Sequence, residues 1–87
     1  MFGHAISDRA YLEPAELFAI QRRGVKGSLL YQRFDTMADA IRFAMEEMPP
    51  GSSNTSIETD IVRIDSAEIA LLYAADEFPL KRRVHLA

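Results

Sequence analysis

The sequence contains no cysteine and no tryptophan, and it has only two histidines among its 87 residues. Without cysteine, the chain cannot form disulfide bonds, thiolate zinc sites or a thiol nucleophile. His4 and His85 lie near opposite ends of the sequence and do not have metal-ligand spacing. We therefore expect no metal site and no cofactor, and the lack of disulfide bonds favours a cytoplasmic protein.

Long apolar runs are also missing. The longest, IALLYAA at residues 69–75, is far shorter than the ~20 residues that a membrane-spanning helix needs. The first residues lack the basic flank and apolar core of a secretory signal. The sequence thus predicts a soluble protein that has no membrane partner.

The composition is that of an ordinary globular protein, with 48% hydrophobic and 26% charged residues. A chain of 87 residues fits one domain with one modest core. We expect residues 1–87 to form that single domain, with flexible termini at 1–12 and 80–87.

A first helix is predicted after Asp35. Thr36 and Asp39 resemble a capping box with Asp in place of Glu, while Asp35 is a second possible cap. Apolar residues then recur with helical spacing over residues 37–48. The sequence PPGSSNTS at 49–56 is typical of a loop and predicts the end of this helix.

A third strand and a second helix are predicted after this loop. Residues 56–64 are rich in Ile, Val and Thr, but their alternation changes phase, which indicates either a β-bulge near Ile61 or burial of both faces. Asp65 and Glu68 form a capping box for a helix that should end near Pro79.

Residues 15–23 fit two interpretations. Pro14 and Gly24 suit the ends of a short helix, whereas the glycines within QRRGVKGS suit the turn of a β-hairpin that continues into a strand at 28–34. We favour the hairpin. The predicted fold is then α+β with the order β-β-α-β-α, in which a hairpin and a third strand carry two helices on one face.

The second helix has two apolar faces. Ile69 and Tyr73 mark one, and a nearly opposite face carries Leu71, Ala75 and Phe78. Because a chain this small can bury one such face easily but not two, the second face is a candidate protein interface. Phe43 of the first helix either widens the core contact or joins that interface.

Charge is distributed unevenly along a chain whose formal net charge is −3. Residues 34–77 carry ten acids against two arginines. The basic side chains are concentrated in the hairpin and the C-terminal tail, namely Arg22, Arg23, Lys26, Arg33, Lys81, Arg82 and Arg83. With Tyr31 as a stacking ring, this set could bind an anion or nucleic acid, although an acidic protein with pI near 5.3 is not typical of that class.

Catalytic patterns are weak in this sequence. Glu58 and Asp60 could form a carboxylate pair, but exposed acids on one strand are usually solvated. The serines lack the local signature of an activated nucleophile. We therefore expect a non-enzymatic protein-binding module, acting as a homodimer or as a regulatory or adaptor subunit, with nucleic-acid binding as the alternative function.

Overall fold

The computed structural model describes residues 9–23 and 26–80, with the backbone alone for Arg23 and Lys26. The elements in chain order are a short 3-10 helix Ala10–Leu12, β1 Ala15–Arg23, β2 Lys26–Phe34, α1 Met37–Glu46, β3 Ser52–Glu58, β4 Arg63–Asp65 and α2 Ser66–Ala74. The predicted α+β class is confirmed. The predicted order lacks one strand, because the described order is β-β-α-β-β-α.

The four strands form one antiparallel sheet in the order β2-β1-β3-β4. Strands β1 and β2 pair without interruption, from Ala15 opposite Phe34 to Arg23 opposite Lys26. This pairing confirms the hairpin and excludes the helix that residues 15–23 could also have formed. It places β1 inside the sheet and leaves β2 at an edge.

The single strand predicted for residues 56–64 is wrong, because the chain reverses within it. The N–H of Thr59 donates to the carbonyl of Val62 at 2.8 Å. The Thr59 hydroxyl oxygen also accepts from the N–H groups of Ile61 and Val62, both at 3.1 Å. Ile57 and Ile64 consequently face each other across β3 and β4, and both are buried. The change of phase in the sequence therefore marks a turn.

The loop predicted for 49–56 is wrong in its second half, because β3 begins at Ser52. Two residues of this polar segment have positive φ: Gly51, just before the strand, at 85°, and Asn54, within it, at 53°. Asn54 lies where the register between β1 and β3 shifts, since Phe18 pairs with Ser56 and Ile20 with Ser53. The extra residue in β3 is a β-bulge, which asparagine tolerates because its short side chain suits positive φ.

Both predicted helix starts are confirmed. The N–H of Asp39 donates to the hydroxyl oxygen of Thr36 at 3.1 Å, and that hydroxyl donates to the Asp39 carboxylate at 2.9 Å. At α2, the N–H of Glu68 donates to Asp65 at 3.1 Å and the N–H of Asp65 donates to Glu68 at 3.2 Å, which completes a capping box.

Helix α2 ends at Ala74, before the predicted stop near Pro79. Ala75 is extended, and the N–H of Phe78 donates to its carbonyl at 3.1 Å. This turn brings the Phe78 ring into the core, with centroid distances of 5.3 Å to Tyr73 and 6.0 Å to Tyr11. Burial of an aromatic ring therefore takes the place of another helical turn.

The core lies between one face of the sheet and the two helices. Strand β1 contributes Ala15, Leu17 and Ala19, all buried, and both helices contact the sheet and each other. Tyr11 is also fully buried, although it belongs to the N-terminal segment for which we expected flexibility. Residues 1–8 and 81–87 lie outside the described part of the chain.

Candidate protein-binding surface

The sheet has an open face opposite the helices. Because side chains alternate along a strand, burial of Leu17 and Ala19 toward the helices directs Phe18 and Ile20 to the other face. Leu29 pairs with Ile20 and Tyr31 pairs with Phe18, so these four side chains form a square on the hairpin. We call this square, Phe18, Ile20, Leu29 and Tyr31, the apolar square.

The apolar square is accessible and internally packed. Leu29 is 69% exposed and Tyr31 is 48% exposed, while the rings of Phe18 and Tyr31 lie 5.2 Å apart in a tilted arrangement. Tilted ring pairs at this separation are favourable beyond the area that they bury. Contiguous apolar side chains with this exposure make the apolar square a candidate interaction site.

Charged residues of both signs border the apolar square at the end of the hairpin away from the turn. One row across the open face reads Arg33, Glu16, Glu58 and Arg63 in strand order. Arg63 lies 3.6 Å from Glu58. The balanced signs along this row suit a protein surface better than a polyanion.

Tyr31 is fixed within this surface by Glu16. Its hydroxyl donates to the Glu16 carboxylate at 2.5 Å. The pKa of Tyr31 is raised above its ordinary value, mainly by this hydrogen bond to Glu16. The phenol therefore stays protonated and keeps donating to the carboxylate. The tyrosine ring is thereby oriented beside Phe18.

Strand β2 also presents an open backbone edge. The N–H of Arg22 donates to the carbonyl of Gly51, toward β3, so Arg22 and Gly27 form a pair that exchanges no hydrogen bonds within the hairpin. Because the direction of backbone hydrogen bonding alternates along a strand, the N–H and C=O groups of Gly27, Leu29, Tyr31 and Arg33 point away from β1. Within residues 9–23 and 26–80, no further strand pairs with this edge.

A groove lies beside the same strand on the helix side. It is lined by Gln32, Phe34, Asp39, Arg42, Phe43 and others of β2 and α1. Phe43 packs against Phe34 with centroids 5.3 Å apart and is half-buried. Phe43 therefore widens the core contact, as the first interpretation has it, and also lines the border of β2, while its place in the predicted α2 interface stays a prediction.

The predicted helix interface is not a continuous face. Leu71 is 71% exposed, as that prediction requires, but Phe78 is buried and only 6% exposed. Ala75 and Phe78 lie beyond the end of α2, so they do not share a helical face with Leu71. Placing Phe78 at an interface is therefore wrong, because its ring fills the core beside Tyr11 and Tyr73.

Three members of the predicted basic set lie on one sheet face, with Arg22 near the turn and Arg33 at the other end of the hairpin. By strand alternation, Arg22, Tyr31 and Arg33 share the open face with Phe18. The backbones of Arg23 and Lys26 close the paired part of the hairpin, but their side chains lie outside the described residues. The same holds for Lys81, Arg82 and Arg83, so the meeting of turn and tail stays a prediction.

Phe18, Ile20 and Leu29 are absent from our sequence-based site. The sequence does contain a signal for these residues. Both hairpin strands carry apolar side chains at odd and even positions, and thus on both sheet faces, but the two helices are predicted to cover only one face. The second apolar set then has no intramolecular partner in that arrangement.

Metal-binding clusters are absent from the part of the chain that the structure describes, where no group of three His, Asp or Glu residues could hold an ion. Glu58 ends β3 and Asp60 lies in the following turn. None of the described helices is long and apolar enough to cross a membrane.

Comparison with known proteins gives no relative: no family model, no curated protein and no solved structure matches the chain.

Proposed function

We propose that the chain is a small non-enzymatic protein-binding module that takes an extended segment of a protein partner along the outer edge of β2. The observation that carries this proposal is the edge itself. Nine residues, Lys26–Phe34, pair with β1 on one side and with no described strand on the other. Addition of a strand to such an edge is a common mode of protein recognition.

The edge of β2 lacks the features that usually prevent strand addition. Natural edge strands are often short, interrupted by a bulge or proline, or charged in the middle. β2 contains no proline, its register with β1 is continuous, and residues 27–32 are uncharged. The opposite edge, β4, has only three residues and carries charges at both ends, Arg63 and Asp65.

The neighbouring surfaces would provide specificity for the added strand. Side chains of a docked segment alternate between the two sheet faces, so one set would lie beside Leu29 and Tyr31 and the other over the groove between β2 and α1. Hydrogen bonds to the outward backbone groups would supply about 0.5–1.5 kcal/mol each, as is typical for a net protein hydrogen bond.

The proposal can be tested by residue-specific amide exchange, recorded by NMR on the labelled protein. The outward amides of Gly27, Leu29, Tyr31 and Arg33 should exchange fast in dilute solution and become protected at high protein concentration or in a cell extract. The inward amides of Ser28, Leu30 and Gln32 are bonded to β1 and provide an internal control.

Two leucines of nearly equal exposure make matched variants for this test. Leu29 is 69% and Leu71 is 71% exposed, but they lie on the sheet and on α2 respectively. We expect Leu29→Glu to abolish the added protection and Leu71→Glu to leave it unchanged. Outward amides that stay unprotected under every condition would refute edge docking, and loss of protection in Leu71→Glu alone would favour the helix instead.

Nucleic-acid binding is a second candidate function. The observation in its favour is that Arg33 follows Tyr31 at the next position on the sheet face that carries the paired rings of Phe18 and Tyr31. Aromatic stacking next to cations is a common mode of single-strand recognition.

A further inference from the structure

We infer that the segment that docks on β2 is β2 of a second copy, paired antiparallel about a twofold axis at Leu30. This inference rests on the proposed edge docking and names its partner. A twofold axis perpendicular to the sheet makes the two strands antiparallel, so residues on one side of Leu30 meet residues on the other side. The result would be a continuous eight-stranded sheet in the dimer.

Strand length selects this register. β2 spans Lys26–Phe34, and Leu30 is its middle residue. An axis at Leu30 pairs all nine residues of the strand, whereas an axis at Leu29 or Tyr31 leaves the ends of both strands without partners. The longest overlap satisfies the most outward backbone groups.

The backbone geometry fits this register. Leu29 would pair with Tyr31 of the second copy, and Gly27 with Arg33 of the second copy. These are the residues whose N–H and C=O groups point outward, as the hydrogen bond from Arg22 to Gly51 shows. The two copies of Leu30 would face each other without exchanging hydrogen bonds, the arrangement in which side chains approach most closely.

The side chains are also self-complementary in this register. On the open face, Leu29 meets Tyr31, so the two apolar squares join into one surface. Gly27 has no side chain and therefore leaves room for the long side chain of Arg33. The Arg33 side chains of the two copies lie at opposite ends of the junction and do not repel each other. On the helix side, Ser28 meets Gln32, and both are exposed in the single chain.

Single cysteines provide a register-specific test, because the natural chain contains none. Under mild oxidation, Leu30→Cys should crosslink to itself, since directly opposed residues have Cα separations within the range of a disulfide. Ser28→Cys and Gln32→Cys should not crosslink separately, but their mixture should give a covalent heterodimer. These two exposed positions keep the test decisive if Leu30→Cys does not fold.

Sedimentation of the full wild-type chain should show a dimer as concentration rises. Crosslinking of Ser28→Cys to itself, or failure of the mixture to crosslink, would overturn the register. A wild type that stays monomeric would overturn the second copy as partner. Edge docking would still stand in that case if an extract protects the outward amides of β2, and it would fall with the dimer if nothing protects them.

Discussion

At the residue scale, Gly51 has the strictest conformational requirement among the described residues that we can test by substitution. Its φ is 85°, and a Cβ atom added there would lie 3.0 Å from the carbonyl oxygen of Arg22. Its own carbonyl accepts the Arg22 N–H at 3.2 Å. Because glycine tolerates positive φ, the chain can turn at Gly51 and begin to pair with β1 immediately afterwards.

We expect Gly51→Ala to destabilise the protein by roughly 1–3 kcal/mol, because the side chain adds strain at positive φ and crowds a backbone atom. Gly27→Ala is the control, measured at a protein concentration where the chain is monomeric, since its Cβ would lie 3.4 Å from the Cγ2 atom of Ile20 and should change stability by about 0.5 kcal/mol or less. Urea unfolding at fixed protein concentration measures both. Equal midpoints for the two variants would contradict the requirement at Gly51.

Sequence reasoning missed the first half of β3, which starts at Ser52, for a physical reason. A run of Gly, Ser, Asn and Thr is typical of loops because these residues form local hydrogen bonds and tolerate unusual φ. Here the same properties allow a bulged strand, and only pairing with β1 distinguishes the two outcomes. That pairing depends on residues distant in sequence, so no local pattern could predict it.

At the element scale, the helix starts were predictable because a cap involves residues three positions apart. Both hydrogen bonds of the Asp65 and Glu68 capping box are formed as the sequence indicated. The helix end was not predictable in the same way. α2 ends at Ala74, and the chain then turns so that Phe78 packs against Tyr11, which lies far away in the chain.

We expect Asp65→Ala to cost about 1 kcal/mol, because the N–H of Glu68 loses its acceptor. Asp65→Asn is the control, since an amide oxygen can still accept this hydrogen bond and asparagine is a good N-cap. For a domain of this size, ~1 kcal/mol should lower Tm by roughly 4–8 °C. Thermal unfolding followed by circular dichroism would detect the shift. An equal loss in both variants would show that the cap itself is not responsible.

The surface was less predictable than the elements. Sequence reasoning assigned the exposed apolar face to α2, whereas Phe78 is buried and Leu71 is left without its predicted neighbours. The hairpin was predicted, but which of its strands lies at the edge of the sheet depends on strand order. β3 pairs with the side of β1 that β2 leaves free, so β2 is the edge strand. Strand order is a long-range property, so the candidate site followed from the structure and not from periodicity.

At the scale of the whole molecule, charge separates the two candidate functions. The formal net charge is −3, and the cations of the open face are matched by acids. These groups are Arg22, Arg33 and Arg63 against Glu16, Glu58 and Asp65. A polyanion would gain from the first three and be repelled by the others, whereas a protein surface can complement both signs.

We therefore expect no saturable binding of labelled single-stranded RNA in a fluorescence-anisotropy titration at about 50 mM salt, where phosphate contacts are strongest. If the hairpin were a nucleic-acid site, the titration would instead show saturable binding that depends on salt and on particular residues. Affinity would fall steeply by about 200 mM salt, since each neutralised phosphate of a single strand contributes roughly −0.7 to the log-log slope. Tyr31→Ala and Arg33→Gln would then lose binding. Arg63→Gln, which removes a cation already 3.6 Å from Glu58, would keep it. That pattern would replace edge docking with nucleic-acid binding as the function of the hairpin, because Arg33 neighbours Tyr31 on β2 whereas Arg63 lies on β4 beside Glu58.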